Sequence, residues 1–289
     1  MTMQVRSEGT AGNLRAVRFL AVWSVGVACT FTPPPPLPGE EGAGAAPGRA
    51  VGGAGEAGGG GGPVSGEHAE GPAAPAEGEG GKAPGDPAGG RFGLDEAFSD
   101  LSGEGDPWVL IHVDRGTLVC ALFDEAAPVA VANFVGLARG LRPHFDLEKE
   151  TWVRAPFYDG TIFHRVIPGF MIQGGDRTGT GTKGAGYTIP DEIRPDLRFD
   201  RPGRLAMAGR GPNTGSSQFF ITLAPASHLD GHHTIFGQCT EASVALADDM
   251  AMVPRGPDDR PKDPEKIRSI EVVLAKAAPN PSSGGQEAP

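Results

Sequence analysis

The sequence predicts a mostly β domain, an antiparallel sheet closed as a barrel and capped at its ends by two α-helices. Three observations carry this. Short apolar runs of strand length recur between Gly, Pro and Asp turn signals from Trp108 onward. Helical stripes stand at two separated places, near 128–139 and 242–253, so strand and helix do not alternate as a doubly wound parallel sheet requires. The composition of the 289-residue chain is also uneven, with one long stretch that cannot form a core.

That stretch is residues 30–90, where 20 Gly and 11 Pro leave Phe31 as the only aromatic. Too little apolar surface is available there to offset the ordering entropy, so a disordered linker is expected. Pro33 to Pro36 should form a short stiff segment, and the Gly-rich remainder should behave as flexible coil with a reach on the order of 40 to 50 Å. The linker holds 8 acidic and 2 basic residues, which accounts for −6 of the formal charge of −11. The acidity thus belongs to a tether, and no basic stripe follows, which excludes nucleic acid as the partner. Ahead of the linker, Arg6, Arg15 and Arg18 precede an uncharged run from Phe19 to Ala28, too short to span a bilayer as a helix. Residues 1–29 resemble a bacterial lipoprotein signal, with Gly26-Val27-Ala28 ahead of Cys29 as the residue to be lipidated, although Gly26 stands where Leu is commonest. The resemblance places the protein in a bacterial cell envelope, with membrane contact only through that anchor. Simple cleavage after Ala28, giving a periplasmic or secreted protein, stays open, as does an uncleaved cytoplasmic end.

The domain is expected over residues 91–276. Leu94, Ala97, Phe98 and Leu101 follow helical spacing and suggest a short docking helix. Trp108 to Val113 and Thr117 to Phe123 flank Asp114-Arg115-Gly116, a β-hairpin signal. Pro128 suits a first helical turn, Val131, Phe134, Val135 and Ala138 make one stripe, and Gly140 can cap its end. Residues 141–156 show no clear period and read as a loop. Phe163 to Asp176 reads as a strand bent at Pro168-Gly169 and ended by Gly174-Gly175. It carries His164, Arg165 and Gln173 among apolar residues, and an Arg there should look into a cleft. Thr178 to Gly186 lacks the Gly-x-x-x-x-Gly-Lys-Ser/Thr pattern of a phosphate loop and reads as a mobile surface loop. Apolar strands follow at Arg204 to Ala208, Gln218 to Leu223 and Thr234 to Cys239. Val244, Ala247, Met250 and Ala251 form a second helix face stopped at Pro254, and Ile270 to Leu274 is the closing strand. Residues 277–289 are expected to be a disordered tail. Cys120 and Cys239 each sit in a strand-like apolar run and read as buried small hydrophobes or, in an oxidising compartment, one disulfide.

The stretches Phe163 to Asp176, Gly211-Pro212-Asn213-Thr214 with Ser217 to Ile221, and Leu229 to Gly237 resemble the cyclophilin family of peptidyl-prolyl isomerases. The resemblance covers about residues 108–275 in a consistent order and implies an eight-stranded barrel. It implies Arg165 as the catalytic arginine, with His164 and Gln173 lining the groove. Phe170, Met171, Phe220 and Leu229 become the pocket for the substrate proline ring. Ala208 and Gly209 hold the peptide backbone, while Gln218, His228 and His233 complete the substrate-binding wall. The partners it implies are proline-containing polypeptides, including folding proteins, bound by a monomer. Two positions depart from the family pattern: Asn is usual at Gly209, and Trp or another aromatic at His228.

The chemistry suits these residues. Rotation about a peptide bond faces a barrier of roughly 18 to 20 kcal/mol because the amide nitrogen lends its lone pair to the carbonyl. Twisting frees that pair, and a guanidinium aimed at the prolyl nitrogen then stabilises the transition state over the planar ground state. No nucleophile, metal or organic cofactor is required. A metal set of His228, Asp230, His232 and His233, or a hydrolase built from Ser216, His164 and Asp176, fits less well, since a Leu-Asp-Gly turn interrupts the first and the second lacks a nucleophile motif. The rival reading is a module that binds proline segments without turnover; Arg165 beside Phe170, Gln173 and Phe220 favours the enzyme.

Overall fold

A computed structural model describes residues 85–280, so the expected signal, most of the expected linker and residues 281–289 lie outside the described residues. In chain order the elements are α1 (Leu94–Ala97), β1 (Asp106–Val113), β2 (Gly116–Leu122), α2 (Pro128–Ala138), β3 (His144–Asp146), β4 (Thr151–Val153), β5 (Arg165–Ile167), β6 (Met171–Gly174), β7 (Arg204–Met207), β8 (Phe219–Thr222), β9 (Ile235–Cys239), α3 (Glu241–Ala251) and β10 (Ile267–Ala275). Eight of the strands make one antiparallel sheet in the order β10-β1-β2-β9-β7-β8-β6-β5. Its two ends meet at a single antiparallel bridge, Ile162 with Lys266, where Phe163 N donates to Glu265 O and Ile267 N to Thr161 O. The barrel expected from the sequence is present, and its seam rests on this short contact instead of a full ladder.

Strand periodicity divides the residues between two apolar layers. Val166, Ile172, Leu205, Met207, Phe219 and Ile221 face inward and pack with both long helices. Phe134 of α2 lies at the centre of this core, its ring 5.0 Å from Tyr158 and 5.3 Å from both Phe219 and Phe236. Alternate residues on the same strands, Met171, Ala206 and Phe220, face outward and form a second buried cluster with Phe199, Ala208, Leu229 and Ile235. A sheet with apolar residues on both faces buries the outer one only where loops cover it, and this outer layer positions the site.

Local chemistry fixes the helices. Ala127, which precedes α2, has no side chain to cap it, and the Glu192 carboxylate accepts from Val129 N and Ala130 N at 2.9 Å each instead. Thr240 caps α3 through a bond from Ser243 N. The expected docking helix shrinks to the single turn α1, yet Leu94, Ala97, Phe98 and Leu101 all pack on the core. Phe92 lies directly on Gly136 of α2, where a Cβ would come within 2.3 Å of its ring. Arg142 is buried beneath it, 4.2 Å from the Tyr187 ring and paired with Asp86 at 3.1 Å. Residues 85–90, which the composition assigns to the linker, include this anchor, and residues 277–280 run on from β10 without regular structure.

Three local expectations are corrected. Residues 141–156 are not a plain loop: β3 and β4 pair as a small hairpin with Phe145 opposite Trp152, whose rings meet edge-on at 5.6 Å. Residues 163–176 are not one bent strand but two, β5 and β6, paired in antiparallel register around a turn in which Gly169 has φ +68°. The loop after β6 is also pinned, since buried Asp176 accepts from the Thr178 amide and hydroxyl, the Thr180 hydroxyl, and the amides of Thr182 and Lys183. Cys120 and Cys239, opposed in register on β2 and β9, form a disulfide.

Candidate active site

The hairpin β5–β6 places Arg165 directly opposite Gln173, and the register continues laterally. Gln173 lies opposite Phe220 of β8, Phe220 opposite Ala206 of β7, and Ala206 opposite Ile235 of β9. Because cross-strand partners share a face, these five residues form one row on the outside of the barrel, cationic at Arg165, polar at Gln173 and apolar from Phe220 to Ile235. Met171 sits two residues before Gln173 on the same face. Phe170 and Ile167 pack on this layer from the turn.

The apolar floor is built by layers beneath and beside Phe220. Its ring stacks on Phe199 at 5.8 Å and receives the edge of His233 at 5.3 Å. Asp230 accepts from Phe199 N at 2.7 Å and from Arg198 Nε at 2.9 Å, tying the Phe199 segment to the turn that carries Leu229. Asp230 is therefore engaged in holding the floor. His233 has Nδ1 3.1 Å from Met207 O; a carbonyl can only accept, so Nδ1 carries the proton. Burial lowers the His233 pKa, favouring the neutral ring with Nε2 bare. His228 is exposed, its ring 5.4 Å from Phe170 at the rim, and Gly209 is half-buried directly after Ala208.

The other end of the groove is polar. Gln173 is 1 % exposed and donates from Nε2 to Gln218 Oε1 at 2.9 Å. Gln218 Nε2 in turn donates to Gly181 O at 3.2 Å and Lys183 O at 2.9 Å, so the Asp176-pinned loop orients both amides. Gln173 Oε1 is left as a buried acceptor without a partner among the described residues. Gln218 thus stands behind Gln173 and outside the apolar cluster. His164 is buried with its ring against Gly181. Ser216 Oγ donates to Tyr187 O and accepts from Ala185 N, which commits it to holding the chain and removes it as a nucleophile. Sequence reasoning missed Phe199 and the segment 255–260, from which Arg255 reaches Val166 O and Asp259 approaches Arg165. Phe199 carried a faint signal as a lone aromatic in a charged run; the segment carried none.

Two histidines make the protein sensitive to acid. Burial brings the His164 pKa from 6.5 down to about 4, aided by Arg260 and Arg165 and opposed by Asp176. Burial likewise lowers His144 from 6.5 to about 4, aided by Arg177 and opposed by Asp146. Both folded-state values lie below the unfolded ones, so between these limits the unfolded chain binds more protons. The stability they contribute is complete above pH 6.5 and is lost as pH falls towards 4. For His164 alone this is on the order of 3 kcal/mol. Denaturant midpoints across that window should fall in the wild type and fall less in His164→Gln; equal slopes would contradict the assignment.

Comparisons with known proteins bear on the same region. The family model described as cyclophilin type peptidyl-prolyl cis-trans isomerase/CLD matches residues 108–272. The peptidyl-prolyl cis-trans isomerase A of Mycobacterium tuberculosis is 48% identical over 163 residues, covering 56% of this chain and 90% of that protein. The isomerase B of Streptomyces anulatus is 45% identical over 167 residues, covering 57% of this chain and 95% of that protein. A solved cyclophilin type peptidyl-prolyl cis-trans isomerase of Cryptosporidium parvum aligns with a TM-score of 0.50 at 34% identity, over 59% of this chain and 98% of that one. With its barrel, its outer-face groove and these matches over more than half its length, the chain belongs to the cyclophilin-type peptidyl-prolyl cis-trans isomerases.

Proposed function

We propose that the domain accelerates rotation about X-Pro bonds in polypeptides, with Arg165 as the group that stabilises the twisted amide. The observation that carries this is the lateral row Arg165–Gln173–Phe220. A proline ring seated on Phe220, Met171 and Leu229 has its nitrogen within one strand spacing or two of the guanidinium, about 5 to 10 Å between backbones. Arg suits the task because it stays charged and donates through a fixed fork without proton transfer. Gln173 supplies a second polar contact whose orientation is set by Gln218. Gly209 and Ala208 offer backbone groups to the peptide, and His233 and His228 wall the far side. The test is a protease-coupled isomerisation assay on a proline peptide: cis peptide should convert at a rate proportional to protein concentration. A rate equal to the uncatalysed one would leave only a binding module.

The same reading extends to where the domain works. A basic stretch, a short apolar run and Cys29 support export with lipidation, and the Cys120–Cys239 disulfide supports an oxidising compartment. The domain would then act on exported chains. Cys29→Ser should move the protein from the membrane to the soluble fraction of a bacterial host. Unchanged fractionation would remove the anchor from this account.

A further inference from the structure

The connection between α3 and β10 forms a strap alongside β5, the end strand of the sheet. It closes on itself, with Arg255 bridged to Pro261, Gly256 N donating to Arg260 O at 2.7 Å and Lys262 N to Pro254 O at 2.9 Å. Arg255 Nη1 donates to Val166 O of β5 at 3.3 Å, and Arg260 Nη1 donates to Gly179 O of the Asp176-pinned loop. At its turn Asp258 and Asp259 have φ of +58° and +55°. Two successive non-glycine residues in the left-handed region persist only where surrounding contacts hold them, and such strain concentrates at functional places.

What the strained turn presents is a carboxylate between two guanidiniums. Asp259 Oδ1 lies 3.0 Å from Arg255 Nη1, and Asp259 Oδ2 lies 3.7 Å from Arg165 Nη2. This is the ion pair found for Arg165 among the described residues. Arg165 is 28 % exposed in its side chain, and a four-bond stem ending at an open groove samples many orientations unless something restrains it. A single contact engages one terminal nitrogen of a fork with five donors and leaves the others for substrate. We propose that Asp259 is a positioning residue for Arg165, held in place by the strap through Arg255 and Arg260, and that it sets the guanidinium where the prolyl nitrogen lone pair emerges. This rests on the isomerase reading of the site.

The pair is too exposed to matter much to stability, so its effect belongs in turnover. Asp259→Asn is a close probe, because Asn accepts left-handed backbone as well as Asp and is nearly the same shape, so the charge and one acceptor oxygen are removed with little change in volume. Exchange NMR on a proline peptide should show turnover lowered about 10-fold with affinity within about twofold of wild type. Asp259→Gly, which relieves the backbone and deletes the carboxylate, should give the same loss. The decisive readout is the double-mutant cycle: in an Arg165→Ala background, Asp259→Asn should change turnover by less than about twofold, because a residue acting through Arg165 has nothing left to act on. Full wild-type turnover in Asp259→Asn, or an equal fold-loss in both backgrounds, overturns the proposal. Absence of turnover in the wild-type chain sinks the isomerase reading beneath it, and this inference with it.

Discussion

Phe220→Ala is expected to weaken both peptide affinity and turnover, and to destabilise the fold by about 3 to 5 kcal/mol. Phe220 is fully buried, stacked on Phe199 and edge-on to His233, and it is the central member of the lateral row. Truncation leaves a cavity between Phe199, Met171 and Ala206, and the floor proposed to receive the proline ring gives way. The loss of one aromatic contact and its buried area should lower affinity roughly 10- to 100-fold. Because ring and pocket meet in both planar and twisted states, affinity should fall along with turnover, unlike the removal of a contact made only in the transition state. Titration of a proline peptide with circular dichroism on the same sample checks both effects; wild-type affinity in folded Phe220→Ala would place the proline ring elsewhere.

The barrel and the two long helices were legible because each leaves a mark in local sequence, whereas the residues of the groove were named through the cyclophilin resemblance. Strand alternation and the stripe through Val131, Phe134, Val135 and Ala138 fix faces without knowledge of partners. What escaped depends on pairing between distant segments. A turn at Pro168-Gly169 is equally consistent with a bend and with a hairpin, and only the register of Arg165 with Gln173 separates them. Strands as short as β3 and β4 cannot show a period; the cross-strand pair of Phe145 and Trp152 holds them. Burial of Cys120 and Cys239 was readable, but their bond joins positions 119 apart and follows from β2 lying beside β9. Asp176 looked like a turn residue, although the alternation Asp176, Thr178, Thr180, Thr182 is a run of donors spaced to wrap one carboxylate. Asp259 sits among Pro, Gly and charged residues that read as a solvated turn, and nothing in that pattern points to Arg165.

Turnover is expected to depend most on Arg165. If its guanidinium engages the prolyl nitrogen only as the amide twists, the contact is made mainly in the transition state, and deleting it leaves the apolar floor to bind peptide as before. Arg165→Ala should lower turnover about 10²- to 10³-fold, roughly 3 to 4 kcal/mol, with affinity almost unchanged. Arg165→Lys should recover only part, because a point charge on a flexible stem does not reproduce the fork. The split between the two quantities sets this variant apart from Phe220→Ala, in which affinity falls. Exchange NMR on a single proline peptide measures both in one sample: the account predicts cis-trans exchange collapsing in folded Arg165→Ala while the binding isotherm overlays that of the wild type, and near-normal exchange there would contradict it.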